Sequence, residues 1–461
     1  MVPDLLRSAE RPWKPLSAVM RTVAPVVVLL CVGCADHNGR KIEATSTPKA
    51  RVVTADIQAG IEQHIEEQSR SGGGFFRISY DDRELELKLV RVHVEYLASL
   101  GPRRQFACVD LAGTDGEVYD VDFFLAGDAG SMHVTETTVH KINGRPLYAW
   151  KQREDRTWHR VPVENASRGL LGVIEDRDEF EFVYRATLPE IAGVAHMWLP
   201  LPTSGRFQTV TTKSVNAPGT QSTLIDREHG NTILYLELGP EDSQEAVEIR
   251  FQVLRLEKAA YPAPPPVPGE YLGAERMVPL TDDFRSIGNE VVTGMTGDLV
   301  RARALYDHVI DRMSYKKVGE GWGRGDAVFA CDSRTGNCTD YHSYFIALMR
   351  AVGIPARFAV GASIPSARNE GGISGYHCWA EFYAESKWWP VDISEGDKYS
   401  DLATYYFGHH PANRIELSRG RDLVVDPGPA SGPINFLADP VLEIDGSPVR
   451  VKPRFSFTRS D

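Results

Sequence analysis

The stretch that decides the fold lies between residues 336 and 392, and it contains Gly-Asn-Cys-Thr-Asp at 336–340, Tyr-His-Cys-Trp-Ala-Glu-Phe-Tyr at 376–383 and Trp-Trp-Pro-Val-Asp at 388–392. After the first piece, apolar residues recur at helical spacing up to Val352, and Gly353 and Pro355 then mark a helix end. The other two pieces are short, aromatic-rich and separated by a few polar residues, as in paired strands. The pattern therefore predicts a helix that begins near Cys338 and, later, a strand hairpin.

Cys338 is predicted to stand at the N-terminus of this helix. The positive end of the helix dipole and the free backbone N–H groups there favour a thiolate. Such cysteines can have a pKa of roughly 3.5–7.5 instead of ~8.5. Cys338 is therefore a candidate nucleophile.

The predicted hairpin supplies a candidate base and a partner for it. Side chains alternate between the two faces of a strand, so His377 and Cys378 point in opposite directions. If a two-residue turn at Ala384-Glu385 joins the strands, His377 lies directly opposite Asp392, with Cβ atoms ~5 Å apart. A carboxylate there would orient the imidazole and stabilise its protonated form. Ala-Glu is, however, not a pair that two-residue turns prefer.

These motifs, with Leu-Met-Arg-Ala-Val-Gly-Ile-Pro-Ala-Arg at 348–357, resemble the transglutaminase-like superfamily over about residues 280–420, and look most like its bacterial branch. The resemblance implies a papain-like core, in which a helix bearing the cysteine packs on an antiparallel sheet bearing the histidine and the aspartate. It implies a catalytic triad of Cys338, His377 and Asp392. Relatives include amide cross-linkers, peptidases, deglycosylating amidases and inactive members, so the resemblance leaves the reaction open.

Two alternatives concern the same residues. His342 follows Cys338 by one helical turn, and helical side chains lean towards the N-terminus, so His342 is a rival for the base. A metal site is the second alternative, but neither a paired-cysteine motif nor a His-Glu-x-x-His helix supports it. Its ligands would be Cys338, His342, His377 and Asp392.

No cofactor is predicted. The glycine-rich loop 319–325 lacks the Lys-Ser/Thr ending of a phosphate-binding loop, and no calcium-binding loop is visible. Trp322 in this loop is a candidate for lining an acyl pocket or donating to an oxyanion, but it is not included among the predicted catalytic residues.

The predicted reaction is acyl transfer through a thioester on Cys338, from peptide or protein amides to water or an amine. Water as acceptor gives a cysteine peptidase or amidase, and a lysine amine gives a cross-linker. A non-catalytic envelope binding module is the alternative from another class, and the complete set of Cys338, His377 and Asp392 argues against it. The sequence determines neither the substrate's identity nor the oligomeric state.

Composition limits the partners. The chain has 461 residues, 42% of them hydrophobic, which is enough for several cores. Its 51 basic and 63 acidic residues give a net charge of −12. This balance argues against nucleic acid as a partner and against a basic membrane-binding face.

The N-terminus resembles a bacterial lipoprotein signal, with Arg21, an apolar run at 23–32 and Cys31-Val-Gly-Cys34. This predicts an exported cell-envelope protein attached to the membrane by lipid on Cys34. An uncleaved anchor or plain secretion are the alternatives. In an oxidising compartment Cys331 and Cys378 either form a disulfide or stay as free thiols, whereas Cys108 is expected to be a buried core residue.

The predicted fold class is α+β, with a papain-like transglutaminase core preceded by a β-sandwich-like domain and a small helix-plus-antiparallel-sheet domain. The tail 421–461 is expected to add edge strands or wrap the core. The predicted segments are a signal (1–34), a polar tether (35–50), the small α+β domain (51–165), the β-sandwich-like domain (166–258), a Pro-rich linker (259–274) and the catalytic domain (275–461).

Overall fold

The computed structural model describes residues 52–94, 98–101, 104–152, 158–162, 172–265, 269–398 and 400–459. The predicted signal segment 1–34 with its lipid site Cys34, and the tether 35–50, lie outside these residues. Within them, no helix has both the length and the apolar character needed to span a membrane.

The first part of the chain is one helix followed by antiparallel strands. A buried stripe of Ile57, Ile61 and Ile65 packs the helix against the sheet. The elements are α1 (Thr54–Ser71), β1 (Phe76–Tyr80), β2 (Arg83–Val92), β3 (Ala98–Gly101), β4 (Arg104–Gly113), β5 (Val118–Ala126), β6 (His133–Ile142), β7 (Arg145–Pro146), β8 (Tyr148–Gln152) and β9 (Trp158–Pro162). β1 to β7 form one sheet, and β8 pairs with β9.

The next part consists of longer strands in which buried and exposed residues alternate. In β10, for example, Phe180, Phe182 and Tyr184 face the core. These strands are β10 (Arg177–Thr187), β11 (Ala195–Leu201), β12 (Gln208–Asn216), β13 (Thr220–Ile225), β14 (Thr232–Leu238) and β15 (Ala246–Leu256), with a short 3-10 helix at Pro240–Asp242.

The remainder mixes helices and strands. The helices are α2 (Asp282–Val291), α3 (Asp298–Arg312), α4 (Ala327–Ser333), α5 (Cys338–Ala351), α6 (Ile393–Gly396) and α7 (Ser400–Tyr405). The strands are β16 (Tyr261–Pro262), β17 (Ser314–Tyr315), β18 (Thr335–Gly336), β19 (Ala356–Ser363), β20 (Glu370–Ile373), β21 (His377–Ala384), β22 (Lys387–Val391), β23 (Arg414–Arg419), β24 (Val441–Ile444), β25 (Ser447–Arg450) and β26 (Arg454–Arg459). The predicted α+β class is confirmed.

The C-terminal strands belong to the sheets formed by β10 to β15. One five-stranded sheet has the order β12-β15-β10-β26-β20, and the other has the order β13-β14-β11-β24-β25. β26 and β24 are therefore interior strands, whereas only β25 lies at an edge. The segment predicted as the catalytic domain thus completes the two sheets of the segment before it, because antiparallel pairing satisfies their exposed edges.

The sheet that carries the candidate site has the order β16-β22-β21-β19-β23 and is antiparallel throughout. α5 packs on β19 and β21, and every residue of α5 from Cys338 to Arg350 is buried. A helix that is buried on all sides lies at the centre of its domain. The start of α5 is consequently held rigidly against the sheet.

A buried ion network joins the chain just after β15 to this sheet. Lys258 Nζ lies 2.7 Å from Glu381 Oε1 on β21, and Arg357 on β19 donates to Glu381 Oε2. Burial alone would raise the pKa of the Glu381 carboxyl, but the charges of Lys258 and Arg357 outweigh it and hold that pKa well below its usual range. The network holds β21 at Glu381, four residues after His377 on the same strand.

Candidate active site

The N-terminus of α5 is capped by its own sequence. Asn337 Oδ1 accepts a hydrogen bond from Thr339 N at 3.0 Å, and Asp340 Oδ2 accepts one from Asn337 N at 2.9 Å. This reciprocal arrangement is a capping box. It places Cys338 at the first helical position, where Cys338 is 2% exposed.

Asp340 also holds the glycine-rich loop. Its carboxylate accepts hydrogen bonds from Gly323 N at 2.7 Å and from Gly325 N at 3.1 Å. Gly325 has a φ of +64°, and a Cβ there would lie 2.8 Å from Ser343 Oγ, so both conformation and space require glycine. No role was predicted for Asp340, and only its position three residues after Asn337 signals the capping box in the sequence.

The hairpin that carries His377 and Asp392 has a different register from the predicted one. The turn is Glu385-Ser386, with φ of 49° and 60°, and Ala384 pairs with Lys387. The prediction that His377 lies directly opposite Asp392 is therefore wrong by two residues. Two consecutive positive φ angles are those of a type I′ turn, whose backbone twist matches the twist of paired strands. The position of this turn sets the register of the hairpin.

The two side chains nevertheless meet. A shift of two residues leaves each side chain on its original face, because the strand repeat is two. Asp392 follows the last residue of β22 and caps α6, and its Oδ2 lies 2.6 Å from His377 Nε2. Its Oδ1 accepts from Ser394 Oγ at 3.1 Å and from Glu395 N at 3.2 Å. The carboxylate is thus held by three donors.

The charges of this group are set by burial and by close partners. Burial acts to raise the pKa of Asp392, but the charge and hydrogen bond of His377 outweigh it and hold that pKa well below its usual range. Burial acts to lower the pKa of His377, but Asp392 and Cys338 raise it to about 10. Cys338 and His377 are therefore stabilised as thiolate and imidazolium.

Cys378 contributes to the low pKa of Cys338. A hydrogen bond from the Cys378 thiol lowers the pKa of Cys338 most, burial opposes it, and His377 adds a further hydrogen bond and its charge. Burial and the neighbouring Cys338 raise the pKa of Cys378 well above its usual value, so Cys378 stays a thiol donor. Cys378 and Cys331 are both free cysteines, which decides against the disulfide.

His342 is a neutral, buried histidine beneath the site. Its Nδ1 lies 2.7 Å from the Cys338 carbonyl oxygen, and Ile393 N donates to its Nε2 at 3.1 Å. Nε2 is thus an acceptor and Nδ1 carries the proton. Burial lowers the pKa of His342. Both ring nitrogens are engaged, which disfavours His342 as the base.

Cys338 lies on the wall of an open cleft of about 1030 Å³. Trp322 and Tyr376 also line it, so the glycine-rich loop does form part of the cleft wall. Five basic residues line the cleft, against two acidic ones, Glu320 and Asp439, in a chain that is acidic overall. The basic residues are Arg276, Lys317, Arg324, Arg450 and Lys452.

We predict that Cys378→Ala raises the pKa of Cys338, because the thiolate loses a charge-assisted hydrogen bond worth ~1.5–3 kcal/mol. The midpoint of the pH dependence of Cys338 alkylation by iodoacetamide should therefore shift upward by roughly 1–2 pH units. Cys378→Ser, which keeps a donor, should restore the midpoint, and Cys331→Ala should leave it unchanged. An unaltered pH profile in Cys378→Ala would contradict the assigned hydrogen bond.

Comparison with known proteins gives one family match and several partial relatives. Residues 285–393 match the transglutaminase-like superfamily. An uncharacterised protein of Haemophilus influenzae is 26% identical over 321 residues, which are 59% of this chain and 86% of that protein.

Solved structures that match part of this chain include a "putative cysteine protease" from Cytophaga hutchinsonii, with a TM-score of 0.44 and 13% identity over 62% of this chain and 93% of that one. The periplasmic domain of TgpA from Pseudomonas aeruginosa has a TM-score of 0.25 and 15% identity over 50% of this chain and 91% of that one. Residues 285–393 include Cys338 and His377 and end just beyond Asp392. By its sequence match, this segment is a domain of the transglutaminase-like superfamily.

Proposed function

We propose that the protein is a thiol enzyme that transfers acyl groups from peptide or protein amides to water or an amine. The observation that carries this proposal is the thiolate-favouring Cys338 beside His377, which in turn lies 2.6 Å from the buried Asp392, on an open cleft. Each group has the protonation state that its step requires.

The proposed reaction begins with attack of the Cys338 thiolate on the amide carbonyl carbon. His377 gives the proton on Nδ1, the nitrogen that Asp392 does not engage, to the departing amine nitrogen as the C–N bond breaks. The acyl group remains on sulfur as a thioester. His377 then takes a proton from water or from an incoming amine, which attacks the thioester and releases the thiolate.

The charge of the cleft favours an acidic substrate. Arg276 is already paired with Asp422, but Lys317, Arg324, Arg450 and Lys452 have no ion pair among those found in the described part of the chain. Their charges favour peptides that carry carboxylates near the reacting amide. We therefore propose acidic peptide segments as the preferred acyl donors.

The cellular location stays a prediction from residues 1–34. An exported protein attached to the membrane through lipid on Cys34 remains our proposal. Mass spectrometry of the mature N-terminal peptide tests it, and an unmodified Cys34 or a mature end elsewhere would refute the lipid attachment.

The roles of the two histidines are distinguished by single-turnover acylation. We expect His377→Ala to abolish it, and Asp392→Asn to slow it by up to ~10⁴-fold, because the imidazole loses its orienting carboxylate. His342→Ala should mainly lower the melting temperature, since it removes a buried side chain that is hydrogen-bonded on both nitrogens.

Two outcomes of these measurements would contradict the proposed roles. If His342→Ala abolishes acylation at an unchanged melting temperature while His377→Ala acylates normally, the pair Cys338–His342 replaces the proposed triad. If wild-type protein alkylates at Cys338 but acylates with no peptide or glutamine substrate, with or without an amine, the non-catalytic alternative gains support.

Substrate charge is tested with Lys452→Gln. Loss of one exposed charge near the substrate costs ~0.2–1 kcal/mol, so KM for an acidic peptide should rise by roughly 1.5- to 5-fold at low salt while kcat stays constant. High salt should erase the difference. Lys213→Gln, on exposed β12, is the matched control. Equal KM values for acidic and neutral peptides in the wild type would refute the preference.

A further inference from the structure

A second cluster of reactive side chains lies outside the candidate active site, in the sheet of β1 to β7. Cys108 on β4, Asp120 and Asp122 on β5, and His140 on β6 place their ligand atoms within 4.8 Å of one another. In β4 and β5 the alternate residues, such as Val109 and Val121, pack in the core beneath α1. The cluster therefore occupies the sheet face opposite α1.

Asp120 has an unsatisfied buried oxygen. The residue is 3% exposed, and no donor in the described residues hydrogen-bonds to its Oδ1. Its ion-pair contacts are long, with Lys141 Nζ 3.4 Å from Oδ2 and His140 Nδ1 3.9 Å from Oδ1. A buried carboxylate oxygen without a donor is costly unless a cation binds it.

His140 is oriented as a ligand. Its Nε2 lies 3.1 Å from the Tyr148 carbonyl oxygen, which can only accept, so Nε2 carries a proton. In the neutral ring, Nδ1 then has a lone pair, and it points at Asp122 Oδ1 at 3.3 Å. A lone pair and a carboxylate oxygen in contact need a proton or a metal ion between them. An imidazole N–H donating to a backbone carbonyl is also how metal-bound histidines are usually held.

Asp122 and Cys108 complete the set. The Tyr148 hydroxyl donates to Asp122 Oδ2 at 2.5 Å, which fixes the carboxylate and turns Oδ1 towards the cluster. The Cys108 thiol donates to Oδ1 at 3.2 Å. A metal ion would replace this thiol proton, which passes to solvent, and would bind the sulfur as thiolate.

A second group of possible ligands lies beside this one, but an arginine already pairs with its central carboxylate. His93, Asp110 and Asp120 also cluster, but Asp110 already faces the buried Arg303 of α3 at 2.7 Å. Its charge is neutralised by protein, so that group needs no metal. The group with Cys108 lies beside Lys141, whose Nζ is 3.4 Å from Asp120 Oδ2.

We propose that Cys108, Asp120, Asp122 and His140 bind one Zn²⁺. Thiolate, imidazole and carboxylate groups all bind zinc, and four protein ligands without an open position would make a structural rather than a catalytic site. The two positive charges of zinc and that of Lys141 together balance the thiolate and both carboxylates. Because Asp110 joins the same sheet to Arg303, zinc here would stabilise the face that contacts the transglutaminase-like domain.

The test is zinc binding by the full-length protein. We expect about one zinc per chain by plasma mass spectrometry, and Co²⁺ added after chelation should give a thiolate-to-cobalt charge-transfer band. Cys108→Ser should abolish that band. Cys108→Ser and His140→Ala should each weaken zinc binding by more than ~100-fold, beyond what loss of an outer partner costs.

Matched controls are Cys331→Ser and His196→Ala, which lie outside the cluster and should bind zinc like the wild type. Wild-type protein that binds no Co²⁺ or Zn²⁺ overturns the proposal, whatever the folding of the variants. So does a zinc site that survives in folded Cys108→Ser. The result is independent of the proposed acyl transfer, because Cys338 alkylation can be measured in the same samples.

Discussion

The structure depends on how the buried N-terminus of α5 satisfies its backbone N–H groups. A helix leaves its first N–H groups without intrahelical partners, and in a buried position each one needs an acceptor. Asn337 provides one acceptor, while Asp340 turns back to the N–H of Asn337 and out to the glycine-rich loop. One carboxylate therefore fixes the helix start and a wall of the cleft together. Cys338 stands between these two caps, where the helix dipole favours a negative sulfur.

The same environment separates two histidines that lie close together. His377 is buried, but it contacts the Asp392 carboxylate and the Cys338 thiolate, so its charged form is stabilised. His342 is also buried, but backbone groups occupy both of its nitrogens, and burial keeps it neutral. Divergent protonation of neighbouring groups is what acid–base chemistry requires. The uncharged Cys378 thiol completes the site by donating to the nucleophile.

Contacts from other described segments help to hold this arrangement in place. Lys258 and Arg357 fix β21 through the buried Glu381, and the tail strands β24 and β26 close the two sheets built from β10 to β15. The first sheet contributes Asp110, whose contact with Arg303 in α3 is a buried ion pair between segments 193 residues apart. Removing one partner of such a pair is far more costly than the net gain from forming it. The segments therefore constrain one another even though each has its own sequence pattern.

Local patterns in the sequence were enough to predict the helix and hairpin that carry the site and the candidate residues on them. Helical spacing after Cys338 predicted α5, alternation predicted the strands of the hairpin, and residue chemistry singled out Cys338, His377 and Asp392. These signals depend on neighbours within a few residues, and such spacing is set by the backbone itself.

Tertiary structure alone decided the rest. The turn lies at Glu385-Ser386, where both residues have positive φ, whereas the sequence pattern predicted it one residue earlier, at Ala384-Glu385. The position of this turn sets the hairpin register. The contact of Cys378 with Cys338, the hold of Asp340 on Gly323 and the pairing of β26 with β10 join residues far apart in the chain. No periodicity encodes such contacts, because they form only when burial brings distant segments together and leaves each polar group to find a partner there.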